Sequence, residues 1–174
     1  MLRRPVLGLL ALLAAPRSFA LYEPPPHPAL KHLPGTWRGV LTYRDWSKPD
    51  RLVTLPCRLY VSLLTPVDAS LYFVFDDGPG KTVHSYDRWL FNFTRGEMVW
   101  AAAGDKEEQT TYRIDSEAAT DEGSSLVLAR AVEGKTLRQQ VDISARALKI
   151  NKVEVGADGQ AVFRNGYELA RADS

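Results

Sequence analysis

Cysteine is almost missing from this chain: Cys57 is the one thiol in 174 residues, so no intramolecular disulfide can form. A protein without such staples depends on its hydrophobic core, and this length suits a single domain. Cys57 reads as a buried, inert thiol on an apolar strand, the alternative being an intermolecular or reactive one. Histidine is nearly as scarce. His27, His32 and His84 are the only three, and none lies in the second half of the chain. No pair has metal-ligand spacing, so no metal site and no cofactor is expected. A Gly-rich phosphate loop and a G-x-S-x-G elbow are both absent. Asp76-Asp77 before Gly78 has turn chemistry, and Glu107-Glu108 sits at a hairpin tip. No catalytic residue is assigned, and an enzyme is the least favoured class.

An excess of charge of one sign is also lacking. Lys and Arg number 22 against 21 Asp and Glu, a net charge of +1, and the cations are scattered. Nucleic acid is therefore not an expected partner. Beyond residue 20 no run approaches the roughly 18 apolar residues of a membrane-spanning helix, so an integral membrane protein is not expected.

What is present begins with a leader. Arg3 and Arg4 precede an apolar run over 6–15, and Ser18-Phe19-Ala20 places small residues where a signal peptidase cuts. The pattern predicts a signal peptide over 1–20 and export to the periplasm or the extracellular space. Residues 21–34 carry Pro24-Pro25-Pro26, Pro28 and Pro34 and read as a stiff linker ahead of a domain over 35–174.

From residue 35 short apolar and aromatic runs alternate with turn residues, and no sustained 3.6-residue period occurs. Strands are predicted over 36–46, 52–63, 69–76, 81–93, 97–103, 107–115, 125–132, 136–144, 147–155 and 161–171, with an exposed loop over 116–124. Val53, Leu55, Cys57, Leu59, Val61 and Leu63 share one face of the second run, opposite Thr54, Arg58 and Ser62. Short connections make neighbouring strands antiparallel. Consecutive hairpins, and the need to hide sheet edges, favour an all-β, closed antiparallel up-and-down barrel of about ten strands over an open sandwich.

The first strand opens on Leu33-Pro34-Gly35-Thr36-Trp37-Arg38-Gly39. A Gly-x-Trp at this place resembles the signature of the calycin superfamily, which includes lipocalins, fatty-acid-binding proteins and nitrobindins. Gly39-Val40-Leu41-Thr42-Tyr43 early and Phe163-Arg164-Asn165-Gly166-Tyr167-Glu168-Leu169 late look like exported lipocalin-like bacterial proteins of unassigned function. The resemblance implies that the tryptophan closes one end of the barrel beneath an arginine from the last strand. Alternation and an even strand number bring Arg171 to the level of Trp37, so the two are assigned a structural cation–π stack. Nitrobindins, which share the Gly-Thr-Trp-Arg-Gly stretch, hold haem through a C-terminal histidine. That residue has no counterpart here, and the resemblance to them stops at the fold.

The lumen remains as the place for function. Tyr43, Tyr86, Arg130, Gln139 and Tyr167 are the candidate ligand-binding residues, being polar or amphipathic side chains on strands. Arg130 shares a face with Leu126, Leu128 and Val132, and a buried guanidinium needs an anion, supplied by a protein carboxylate or by a ligand. The expected function is an exported binding protein with a small apolar or amphipathic ligand in its cup. The alternative is a filled barrel serving as a protein–protein interaction module.

Overall fold

Successive side chains on a strand point to opposite faces, so an alternating chain that curls must commit one set to its interior. The computed structural model describes residues 24–45, 47–48, 50–103 and 108–172, without the side chains of residues 103 and 108. Ten strands occupy it: β1 (Gly35–Arg44), β2 (Leu52–Thr65), β3 (Asp68–Asp76), β4 (Thr82–Asn92), β5 (Glu97–Ala103), β6 (Glu108–Ala119), β7 (Gly123–Val132), β8 (Lys135–Ser144), β9 (Ala147–Val155) and β10 (Ala161–Arg171). Each pairs antiparallel with its chain neighbours, and β10 pairs with β1. The result is a closed, ten-stranded up-and-down barrel with no free sheet edge. The leader over 1–20 and the turn at Gly104-Asp105 lie outside the described residues. No helix among the described residues is long and apolar enough to cross a membrane.

The interior set follows the alternation. On β2 Cys57, Leu59 and Val61 are buried and the residues between them are exposed. Ala69, Leu71, Phe73 and Phe75 are buried on β3, and Gln139, Val141 and Ile143 on β8, with less buried residues between them. Fully buried side chains concentrate toward the end where β1 begins and β10 ends, among them Trp37, Leu59, Leu71, Leu126 and Leu148.

That end is sealed from two directions. Trp37 is completely buried and its indole Nε1 donates to the Leu33 carbonyl at 3.0 Å. Trp37 and Arg171 are register partners across the β1–β10 seam, and the Arg171 Cζ lies 4.0 Å from the indole centroid. The guanidinium also donates to three backbone carbonyls: Ala145 at 3.0 Å, His32 at 2.6 Å, and Pro34. Gly35 explains the spacing before the tryptophan. Its φ of 131° suits glycine, and a Cβ there would stand 2.2 Å from Arg171 Nη1.

The stretch over 21–34 is more than the linker expected from its prolines. Pro28 starts a single 3-10 turn, Pro28–Leu30, and Ala29, Leu30 and Leu33 are wholly buried in the core. His27 stacks on Phe93 with centroids 3.5 Å apart, and Ser124 Oγ donates to the Ala29 carbonyl at 2.7 Å. The core therefore begins before residue 35. Prolines stiffen the segment, but the leucines between them make it a stopper.

The loop expected over 116–124 is mostly strand. After an irregularity between Ile114 and Ser116 the register continues from Ser116 opposite Val127 to Ala119 opposite Ser124, which leaves only 120–122 as the turn. Polar composition is compatible with pairing where both faces of a hairpin meet water.

Candidate functional site

At the opposite end the barrel is hollow. A cavity of about 480 Å³ opens between β1, β10, β9, β8 and β7. Leu41, Tyr43, Val132 and Leu137 form its apolar wall. Its rim is charged: Glu154 receives Lys135 Nζ at 2.5 Å and Arg164 Nη2 at 2.9 Å. Lys135, with Arg164 behind it, holds the Glu154 carboxyl below the usual glutamate range. Arg44 Nε donates to the Phe163 carbonyl at 3.1 Å.

A second cavity of about 230 Å³ lies across the lumen, against Trp100, Thr110, Tyr112 and Arg130. Leu137 and Lys152 line both, so the two hollows share a wall. Arg130 Nη1 donates to Thr110 Oγ1 at 3.0 Å, and its Cζ is 5.9 Å from the Tyr112 centroid. Lys152 Nζ sits 5.0 Å from the Trp100 centroid. Among the described residues, the buried side-chain polar atoms without a hydrogen-bond partner are Arg130 Nε and Trp100 Nε1. Both belong to this one cavity.

Asp87 lies just beyond it. It shares the interior face of β4 with Ser85, Trp89 and Phe91. Burial raises its carboxyl pKa above the ordinary value, partly opposed by the Ser85 hydroxyl at 3.2 Å, by the Trp100 indole and by the Lys152 charge. The Trp100 N–H is near enough to feel the carboxylate, yet closes no hydrogen bond with it. An acid whose native pKa is raised binds its proton more tightly folded than unfolded. Its contribution to stability therefore falls as pH rises from about 3.9, the unfolded aspartate value, and levels off above the raised native value. The melting temperature of Asp87→Asn, taken relative to the parent, should thus increase between pH 4 and pH 7. A relative value that decreases over that range would contradict the assignment.

The other candidates divide. Tyr43 lines the larger cavity, and Arg130 the smaller. Gln139 is buried on β8 in register with Lys152, without lining either hollow. Tyr167 is inside but deeper, tilted against Phe73 at 5.1 Å and Phe75 at 6.4 Å, and burial pushes its phenol well up. Tyr86 is a correction. It is 53% exposed on the outer face, stacked on Tyr72 at 4.4 Å, because Trp89 and Phe91 take the interior parity of β4. It cannot touch a ligand in the lumen. Trp100, Lys152 and Asp87 went unnoticed in the sequence. The available signal was parity: Lys152 continues the face of Leu148 and Ile150, and Trp100 that of Met98.

Cys57 is buried, and desolvation pushes its thiol up to about 12. With so little thiolate, native protein at pH 8 should alkylate with iodoacetamide on the order of a thousandfold more slowly than urea-unfolded protein. Complete native labelling within minutes would show that the thiol is open. The histidines lie away from the cavities. His27 and His32 serve the stopper, and the His84 ring meets Tyr72 on the outside. Among the described residues no three of His, Cys, Asp or Glu gather as metal ligands.

No protein-family model and no curated protein sequence matches the chain. Among solved structures, the Mycobacterium tuberculosis protein Rv2717c superposes with a TM-score of 0.60 over 85% of this chain and 99% of that one. The two are 14% identical. The likeness is one of fold. It carries no residue of the cavity from one protein to the other.

Proposed function

We propose that this is an exported binding protein of the calycin kind, which holds a small amphipathic or apolar ligand in the open half of its barrel. The observation that carries this reading is the hollow itself. A barrel packed by its own side chains leaves no cavity of ligand size, whereas about 480 Å³ at the open end falls inside the range of roughly 300–1,000 Å³ usual for small-molecule sites. The sealed end gives the cup a rigid floor. Export rests on the leader pattern alone, and a mature chain beginning near residue 21 is its expected signature.

The test is native mass spectrometry of protein purified from its own cells, which should show a retained small molecule. Protein that comes off clean, and that also fails to bind a neutral apolar dye, would remove the carrier reading. One observation favours a second reading, a protein–protein module. Tyr60, Tyr72 and Tyr86 are cross-strand neighbours stacked along the outer face, and Tyr60 and Tyr86 are exposed. On that reading Tyr86→Ser would abolish co-purification of a partner and leave dye binding unchanged.

A further inference from the structure

Seven of the eighteen lysines and arginines among the described residues are held in ion pairs. Lys135 and Arg164 converge on Glu154, Arg88 on Asp68, Arg113 on Asp115 and Lys31 on Asp121. Arg130 differs. It points into the lumen, its Nε is buried and unbonded, and no carboxylate among the described residues pairs with it. Among the described residues its side-chain hydrogen bond goes to a hydroxyl, Thr110 Oγ1, and its ring contact to Tyr112. Arg130 is half-buried, and burying its Nε without an acceptor is unfavourable until one meets it.

The groups around Arg130 are donors as well. The Trp100 indole N–H is buried without a bond, and Lys152 brings an ammonium to the same small cavity. Asp87 beside Trp100 and Lys152 offsets part of that charge, and the donors left unbonded, Arg130 Nε and Trp100 Nε1, are complementary to the acceptor oxygens of a carboxylate or sulfonate. Glu154 at the rim is engaged by two cations, and the outer cavity carries four cations, Arg44, Lys135, Lys152 and Arg164, against three acids, Asp45, Glu133 and Glu154.

Shape narrows the class further. Trp100 and Tyr112 flank the small cavity as rings 6.3 Å apart, tilted by 39°. Flat groups pack well against such walls. The larger cavity offers no continuation for a long alkyl tail, since seven of its twelve lining residues are charged. Methylene groups laid along charged walls gain little from leaving water.

We propose that the inner cavity is an oxyanion subsite, and that the ligand is a compact aromatic acid rather than a long-chain acyl compound. Arg130 binds the acid group, with Trp100 Nε1 and Lys152 as supporting donors, while the ring lies toward Leu137 and Tyr43. This rests on the carrier reading above and specifies its cargo.

Two dyes with one ring system separate the two claims: 1-anilinonaphthalene-8-sulfonate, which is anionic, and N-phenyl-1-naphthylamine, which is neutral. The sulfonate should bind the intact protein at least about tenfold more tightly, the gain of a charge-assisted contact. Arg130→Met should lose that tenfold and leave the neutral dye unchanged, and Arg130→Lys should recover part of it. Thr110→Val, which leaves the guanidinium in place, supplies a second variant should Arg130→Met fold poorly; it should weaken the sulfonate alone. In displacement, 2-naphthoate should compete better than palmitate. Equal affinity for the two dyes, or sulfonate binding indifferent to Arg130, would overturn the oxyanion assignment and leave the carrier reading standing. Palmitate winning the competition would overturn the compact-acid class. Failure of both dyes to bind would remove both.

Discussion

Trp37→Ala should lower stability by about 3–5 kcal/mol, the usual cost of emptying a buried large aromatic site. For a chain of this length that is a fall in melting temperature of roughly 6–20 °C. The site cannot collapse to fill itself, because each of its walls is anchored elsewhere. Leu33 above the ring is held by the stopper, and the seam beside it is held by the β1–β10 ladder. Arg171 loses its aromatic partner but keeps three carbonyls, so its side chain stays where it is. Arg171→Met should act in the same direction, since it strands the His32, Pro34 and Ala145 carbonyls. The double variant should cost less than the sum, as expected for residues in contact. Thermal unfolding of the three variants checks this, and strict additivity would show that the stack has no energy of its own.

Gly39→Ala is expected to be as damaging for a different reason. A Cβ at Gly39 would lie 1.9 Å from the Glu168 carbonyl oxygen and 2.9 Å from the Leu169 Cα, all backbone of the partner strand. No rotamer change relieves a clash with a main chain. The β1–β10 seam must part, and that seam is the pairing that closes the barrel. Overpacking of cores ordinarily costs about 1–3 kcal/mol. The upper end or beyond applies here, with two sheet edges freed for intermolecular pairing as well. The expected result is a melting temperature lowered by about 6 °C or more, together with aggregation on heating. A variant that melts within a degree or two of the parent would show that the strands slide apart without loss.

Legibility of the fold in the sequence varied with depth in the barrel. Around the closed end the inward positions of β2 are all apolar, so spacing alone places Cys57, Leu59 and Val61 inside. The pattern inverts toward the open end. There the interior is a hollow with polar walls, so on β4 an aspartate points in while Tyr86 and His84 point out. A reader of residue types puts the tyrosine inside and the aspartate outside. Parity carried from Trp89 and Phe91 gives the correct answer. The proline-rich segment misled for a related reason: its composition describes a linker, and only Leu30 and Leu33 hint that it is folded back as a floor.

Two things followed from the order of residues by itself. The period of two made the chain a sheet, and an even number of strands set Arg171 level with Trp37, because both depend only on local geometry repeated along the chain. The three-dimensional structure decided which end is empty and which cations meet a carboxylate. Glu154 receives Lys135 from β8 and Arg164 from β10, while among the described residues Arg130 on β7 meets a hydroxyl and a ring from β6. Such assignments are set by the register between strands and by the width of the lumen. Charge pairing acts over a few ångströms in space, whatever the distance along the chain.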